Sequence, residues 1–145
     1  MKNKPNNIFL SHSNEDAFEA CLLQYAFEVL MKDIGVKVWA YQRDQRKDER
    51  EISKSLKQRI KESRATIFFV SSYTLDSGAT QWMELAYSDA FGIPTFVLLH
   101  HLTFQELKNR EKGVPPLLLS RQCTQAIEWK LIEPELRKII GADNA

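Results

Sequence analysis

Four consecutive apolar residues, Ile67 to Val70, place the strongest constraint on the fold of this chain. They form the centre of a predicted strand over residues 65–71, and a second apolar strand is predicted over residues 95–99. A strand that is exposed on one face alternates apolar and polar side chains, whereas a strand covered on both faces does not. The run therefore predicts a parallel sheet with helices on both faces.

A helix is predicted between these two strands, over residues 80–92, after a polar loop over residues 72–79. Helical spacing puts Glu84 on one stripe of this helix and Trp82 on another, and Trp82 is predicted to pack in the core. Open α/β sheets bind ligands at the carboxyl ends of their strands, which is where this helix begins. Glu84 is therefore the first candidate for a functional residue, and the start of the helix is expected to favour its ionised form.

The rest of the chain continues the alternation of strands and helices. Further strands are predicted over residues 7–11, 36–41 and 123–127, each followed by a helical segment. Five strands joined by right-handed crossovers favour a flavodoxin-like three-layer sandwich, an α/β fold whose five parallel strands have the order 2-1-3-4-5. At 145 residues, the chain is expected to form a single domain over residues 1–145.

The first helix is predicted to pack on the sheet through an apolar stripe with helical spacing. Its members are Phe18, Cys21, Leu22, Tyr25, Ala26 and Val29. Just before this helix, Ser13 is expected to act as its cap, with Asp16 near the positive end of the helix dipole.

Three polar loops are expected near the switch point between the first and third strands: residues 11–14, 42–51 and 72–79. Residues 42–51 contain no apolar side chain, which is typical of a solvated surface loop. The same loop also offers Arg43, Arg46 and Arg50, and guanidinium groups bind phosphate oxygens through paired hydrogen bonds. Both interpretations of the loop stay open at this stage.

Composition and charge exclude several classes of function. A net charge of +1 gives no broad attraction to nucleic acid, and no apolar run has the length of a membrane span. The chain shows no signal peptide, so a cytoplasmic location is expected. His100 and His101 lie at the end of the fourth strand without a neighbouring Cys/His cluster, so no metal site is expected.

Three segments together resemble the Toll/interleukin-1 receptor (TIR) domains, in particular the stand-alone bacterial type. They are Ile8–Ser13 in the first strand, Arg43-Asp44 at the start of the long loop, and Glu84–Pro94, which contains Glu-Leu and a Gly-x-Pro turn. The resemblance covers essentially the whole length of the chain. Two features differ: the long loop lacks a Pro-Gly pair after Arg43-Asp44, and Thr80 stands where many members have Trp.

The resemblance implies cleavage of NAD+ at its nicotinamide–ribose bond, with Glu84 as the catalytic glutamate. NAD+ is then the substrate, and no further cofactor is implied. One carboxylate is enough because nicotinamide leaves as a neutral molecule, so the main need is to stabilise a positively charged ribose. The residues expected to contact the nucleotide are Phe9, Ser11, His12, Ser13, Trp39, Tyr41, Arg43, Asp44, Arg46 and Thr80.

Two other functions are compatible with the same fold. The first is a non-enzymatic module that assembles with other TIR domains through residues 42–51 and the neighbouring helices. The second is an enzyme similar to nucleoside deoxyribosyltransferases, whereas a response-regulator receiver is disfavoured because the first strand ends in Ser-His-Ser. For the NAD+-cleaving enzyme, the resemblance implies self-association, an anti-phage signal (ADP-ribose or a cyclic isomer) and a downstream effector that senses the product.

Overall fold

The computed structural model describes residues 6–40, 52–77, 79–110, 114–121 and 123–142. The strands are β1 (Asn7–Ser11), β2 (Lys37–Ala40), β3 (Ala65–Val70), β4 (Thr95–Leu99) and β5 (Cys123–Gln125). The helices are α1 (Ala17–Leu30), α2 (Ile52–Glu62), α3 (Ser72–Ser77), α4 (Ala79–Ala90), α5 (Phe104–Asn109), α6 (Pro116–Leu119) and α7 (Glu133–Ala142). Three 3-10 segments, Asn14–Asp16, Lys32–Ile34 and Ala126–Ile132, complete these elements.

The five strands form one parallel sheet with the order β2-β1-β3-β4-β5. This order confirms the flavodoxin-like prediction and puts the switch point between β1 and β3. All six residues of β3 are buried, as the continuous apolar run predicts for a central strand. The carboxyl ends of β1 and β3 therefore meet at the edge where ligands bind in such sheets.

Helices cover both faces of the sheet. Side chains that alternate along the strands, such as Ile8, Leu10 and Phe69, pack with α1 and α7 on one face. Their neighbours in sequence, Phe9 and Phe68, pack with α2, α4 and the segments after β4 on the other face. The sheet thus separates two groups of helices, and a side chain's position along its strand decides which group it meets.

The predicted apolar stripe of α1 is wrong. Phe18, Leu22, Tyr25 and Val29 are 73%, 56%, 54% and 74% exposed, whereas the buried residues of α1 are Ala20, Leu23, Gln24 and Phe27. Apolar residues occur on both sides of this helix, so its periodicity does not distinguish the face that packs on the sheet. On the observed face, the amide of Gln24 also donates to the backbone carbonyl of Val38 at 2.8 Å.

The predicted polar loop over residues 72–79 is also wrong, because it contains α3. The hydroxyl of Ser71 accepts a hydrogen bond from the backbone N–H of Tyr73, and Leu75 N–H donates to the Ser71 carbonyl. Ser71 therefore caps the helix, while Thr74 and Leu75 are buried. A capping box begins α5, with Thr103 and Glu106 bonded reciprocally.

Candidate functional site

The alternation of side chains along β1 fixes one part of the candidate site. Ile8 and Leu10 face α1, so Phe9 and Ser11 face α2 and α4. Ser11 is the last residue of β1 and is 1% exposed. Its hydroxyl therefore lies at the carboxyl edge of the sheet, on the side of α4.

Glu84 meets this hydroxyl from α4. Gln81, Glu84 and Ser88 share the buried stripe of the helix, with 2%, 6% and 0% of their surface exposed. The Ser11 hydroxyl donates to Glu84 Oε1 at 2.5 Å, which joins residues 73 positions apart in sequence. Glu84 is thus not an ordinary surface carboxylate of a helix, but one held at the switch point by a strand end.

Burial dominates the electrostatics of Glu84. It raises the pKa of the Glu84 carboxyl from 4.5 to about 7, because the charged form loses its hydration. The hydrogen bond from Ser11 acts in the opposite direction and is the weaker influence. The expectation that the helix start favours the ionised form is therefore wrong: Glu84 is the sixth residue of α4, beyond the first turn where the dipole acts.

A second buried carboxylate, Asp16, lies at the same edge and was not predicted as a site residue. The hydroxyls of Ser13 and Ser71 donate to Asp16 Oδ2 at 2.9 and 2.5 Å, and Asp16 is 2% exposed. Ser13 does not cap the helix with its side chain, because its hydroxyl is engaged with Asp16. This network ties the segment after β1 to the end of β3, and the available sequence signal was a serine within two residues of the end of each of these strands.

Two polar atoms next to these groups have no hydrogen-bond partner among the described residues: His12 Nε2 and Gln81 Oε1. His12 Nδ1 lies 2.7 Å from the Ser13 carbonyl oxygen, so it carries the proton and donates there. Burial lowers the pKa of His12 below its usual value, which keeps the ring neutral and leaves Nε2 as an acceptor. Both atoms are therefore buried acceptors whose hydrogen-bonding capacity the described residues leave unused.

The two described aromatic residues that were predicted to contact the nucleotide, Phe9 and Trp39, pack against each other. Phe9 is 1% exposed and stacks on Trp39, with ring centroids 5.4 Å apart. Trp39 is half-buried, and the Arg59 guanidinium lies 5.5 Å from the centre of its ring. These two aromatic residues pack between β1, β2 and α2, and nothing in their contacts joins them to Glu84.

Of the remaining predicted contacts, one is an exposed residue and the others lie outside the described residues. Thr80 is exposed at the start of α4, one turn before Glu84. Tyr41, Arg43, Asp44 and Arg46 lie outside the described residues, so their contacts with a nucleotide stay predictions. Trp82 packs against Phe68 with ring centroids 5.8 Å apart, which agrees with its predicted place in the core.

The described ranges contain no group of three or more His, Cys, Asp or Glu residues that could hold a metal ion. In the same ranges, no helix has both the length and the apolar character needed to cross a membrane. The candidate site is thus built from hydroxyls, one imidazole, one amide and two carboxylates.

The comparison with known proteins agrees with the fold. Among solved structures, the TIR domains of the activated Roq1 resistosome directly recognizing the pathogen effector XopQ are similar to this chain, with a TM-score of 0.59 and 16% sequence identity. The match covers 95% of this chain and 82% of that one, and at this identity it shows the fold alone. No curated protein matches the chain.

The family comparison is more specific. Residues 9–100, more than half of the chain, match the family described as Thoeris protein ThsB, TIR-like domain. This range contains the last three residues of β1, all of β2 to β4, and Ser11, Asp16, Ser71 and Glu84. The chain therefore belongs to the family of ThsB TIR-like domains, members of the anti-phage Thoeris system.

Proposed function

We propose that this chain cleaves NAD+ at the nicotinamide–ribose bond and that Glu84 is its catalytic residue. The observation that carries the proposal is the buried carboxylate of Glu84, held by the Ser11 hydroxyl at the switch point of the sheet. Ligands bind at this place in open α/β sheets, and a buried carboxyl group with a strongly raised pKa is typical of a functional site. The products are nicotinamide and either ADP-ribose or a cyclic isomer.

Cleavage of the nicotinamide–ribose bond requires mainly a negative charge placed close to the ribose. Nicotinamide is a pyridinium in NAD+, so it leaves as a neutral molecule without protonation by a general acid. The ribose then carries the developing positive charge, which an adjacent carboxylate stabilises. The positive charge of the bound pyridinium also favours the ionised form of Glu84, whose pKa in the free protein is about 7.

The neighbouring groups suit the recognition of a nucleotide. His12 Nε2 and Gln81 Oε1 are buried acceptors without a partner among the described residues, and ribose hydroxyls or the nicotinamide amide are proposed to donate to them once a small shift of the neighbouring side chains exposes them. Arg43 and Arg46 are proposed to bind the pyrophosphate, together with Tyr41, Asp44 and Thr80 as further contacts. Trp39, which is half-buried, is proposed to form the aromatic wall of the site, with the buried ring of Phe9 stacked behind it.

The direct test is the release of nicotinamide from NAD+ by the purified protein, with the product identified by mass spectrometry. Glu84→Gln and Glu84→Ala should abolish release, while Glu135→Gln removes an exposed carboxylate and should retain it. Circular dichroism checks that each variant is folded. Release that persists in both Glu84 variants would refute the role of Glu84, and release by neither wild-type protein nor control at any concentration would refute the enzyme.

A second function, assembly with other copies of the chain, is favoured by the exposed face of α1. Four large side chains on this face, Phe18, Leu22, Tyr25 and Val29, are each more than half exposed. Contiguous apolar patches on soluble proteins mark interaction sites more often than inert surface. We therefore propose that two copies associate through this face. Independently of this contact, a downstream effector is proposed to sense the nucleotide product.

Sedimentation over a range of protein concentrations tests the association. Val29→Glu introduces a charge into the face and should shift the protein towards the monomer. Gln105→Glu, an equal change of charge at an exposed position of α5, should leave the association unchanged. If Val29→Glu and wild type sediment identically over a range where wild type associates, the contact lies elsewhere.

A further inference from the structure

A cleft of about 350 Å³ opens on the α1 side of the sheet, beside the carboxyl ends of β3, β4 and β5. Its floor includes Leu23, Phe69 and Ala126, which are all buried. Small-molecule sites have volumes of roughly 300 to 1,000 Å³ and are lined mainly by apolar side chains with a few polar groups. The cleft therefore has the size and lining of a ligand site.

This cleft is separate from the candidate site around Glu84. Phe69 faces α1, whereas Ser11 and Glu84 meet on the opposite face of the sheet. None of the residues that line the cleft belongs to the network of Ser11, Asp16 or Glu84. A ligand in the cleft would therefore be a second ligand, bound without competition from the substrate proposed above.

The lining offers flat rings on which an aromatic ligand can stack. The His100 ring lies against Phe69 with centroids 5.1 Å apart, and against His101 with centroids 4.1 Å apart. His101 holds a backbone φ of 56°, a left-handed conformation that residues other than glycine adopt infrequently. This conformation places the second of two adjacent imidazoles at the cleft.

The lining formed by the described residues is negative. Within that part of the chain, Glu19 in the first turn of α1 is the one lining residue with a formal charge, and no described lysine or arginine lines the cleft. Glu19 Oε2 lies 3.9 Å from His100 Nε2, too far for a hydrogen bond, so the carboxylate is open to another donor. A cationic group is attracted to this position and an anionic group is repelled.

We propose that the cleft binds a small aromatic amine. The aromatic ring packs over Leu23 and Ala126 and stacks with His100, and the protonated amine pairs with the Glu19 carboxylate. Phosphate-bearing nucleotides are poor ligands for this cleft because their charge has the wrong sign. The proposal thus concerns a ligand class different from NAD+, and it does not depend on cleavage of NAD+.

Two probes of similar shape and opposite charge test the proposal: tryptamine, which is a cation, and indole-3-propionate, which is an anion. Both are titrated into the isotopically labelled full chain, and binding is followed by NMR chemical shifts. Tryptamine should bind about tenfold more tightly, with the largest shifts at His100, His101 and Ala126. Glu19→Lys, at a position 40% exposed and therefore tolerant of substitution, should reverse the preference.

Glu84→Gln is the matched control for the other site, and it should leave the affinity for tryptamine unchanged. Equal affinities for the two probes, or a preference that Glu19→Lys leaves unchanged, would overturn the proposal. So would the absence of binding by either probe at millimolar concentration. Because these readouts do not include NAD+ cleavage, they are independent of the outcome for the proposed enzyme.

Discussion

Replacement of Glu84 by glutamine should change the pH dependence of stability in a direction set by burial. In the native state, the pKa of Glu84 is raised from 4.5 to about 7, so the folded protein keeps this proton to a higher pH than the unfolded chain. Stability is therefore lost as the pH rises from about 4.5 through about 7. Glutamine resembles the protonated glutamate in shape and does not titrate, so the variant escapes this loss.

The size of the effect follows from the pKa shift. A rise from 4.5 to about 7 corresponds to about 3 kcal/mol, at about 1.36 kcal/mol per pKa unit. The difference in free energy of unfolding, Glu84→Gln minus wild type, should thus increase by about 2 to 3 kcal/mol between about pH 5 and about pH 8. Other titrating groups cancel in this difference, because they are common to both proteins.

Urea unfolding followed by circular dichroism at several pH values measures this difference. Glu135→Gln provides the control, because it makes the same substitution at a carboxyl group that is exposed on α7. A difference for Glu84→Gln that stays constant from about pH 5 to about pH 8 would refute the reasoning, since the Glu84 carboxyl would then titrate alike in the folded and unfolded states.

Three further outcomes are expected. The rate of NAD+ cleavage should rise with pH through the pKa of Glu84. The hydrogen bond from Ser11 lowers this pKa, so Ser11→Ala, which removes the bond, should move the midpoint of the pH profile upward. A midpoint that Ser11→Ala leaves unchanged would contradict this. Phe27→Ala should lower the free energy of unfolding by about 3 to 5 kcal/mol, because Phe27 is fully buried against Trp129. Thr103→Ala should lower it by about 1 kcal/mol through loss of the helix cap, as urea unfolding would measure.

The sheet could be predicted because its determinants are local in sequence. The run Ile67–Val70 is apolar at every position, which only a strand covered on both faces requires. Gly92 and Pro94 mark the chain reversal before β4, and Gly92 has the positive φ of 67° that favours glycine. Strand identity and the rule of right-handed crossovers then leave few possible strand orders, of which the observed one is the simplest.

The orientation of α1 could not be predicted because it is decided by partners distant in sequence. Phe27 and Val29 are both apolar and two residues apart, so they lie on different sides of the helix, yet one is fully buried and the other is 74% exposed. Phe27 packs against Trp129, about a hundred residues later, and periodicity carries no information about that contact. Because α1 buries the side that carries Phe27, its other apolar side stays exposed, and this exposed side supports the proposed association.

The same distinction explains why Glu84 could be located but not characterised from the sequence. Its position near the carboxyl edge follows from the helix and the strand around it, but its burial follows from Ser11 on β1. A carboxylate held by one hydroxyl in a buried position costs stability once it is ionised, and an apolar residue there would avoid that cost. Such a residue does not improve the packing of a core. In a site with little water, however, its carboxylate can stabilise a positive charge. The energetic cost of burying Glu84, which the contact between strand and helix creates, is thus what supports its proposed catalytic role.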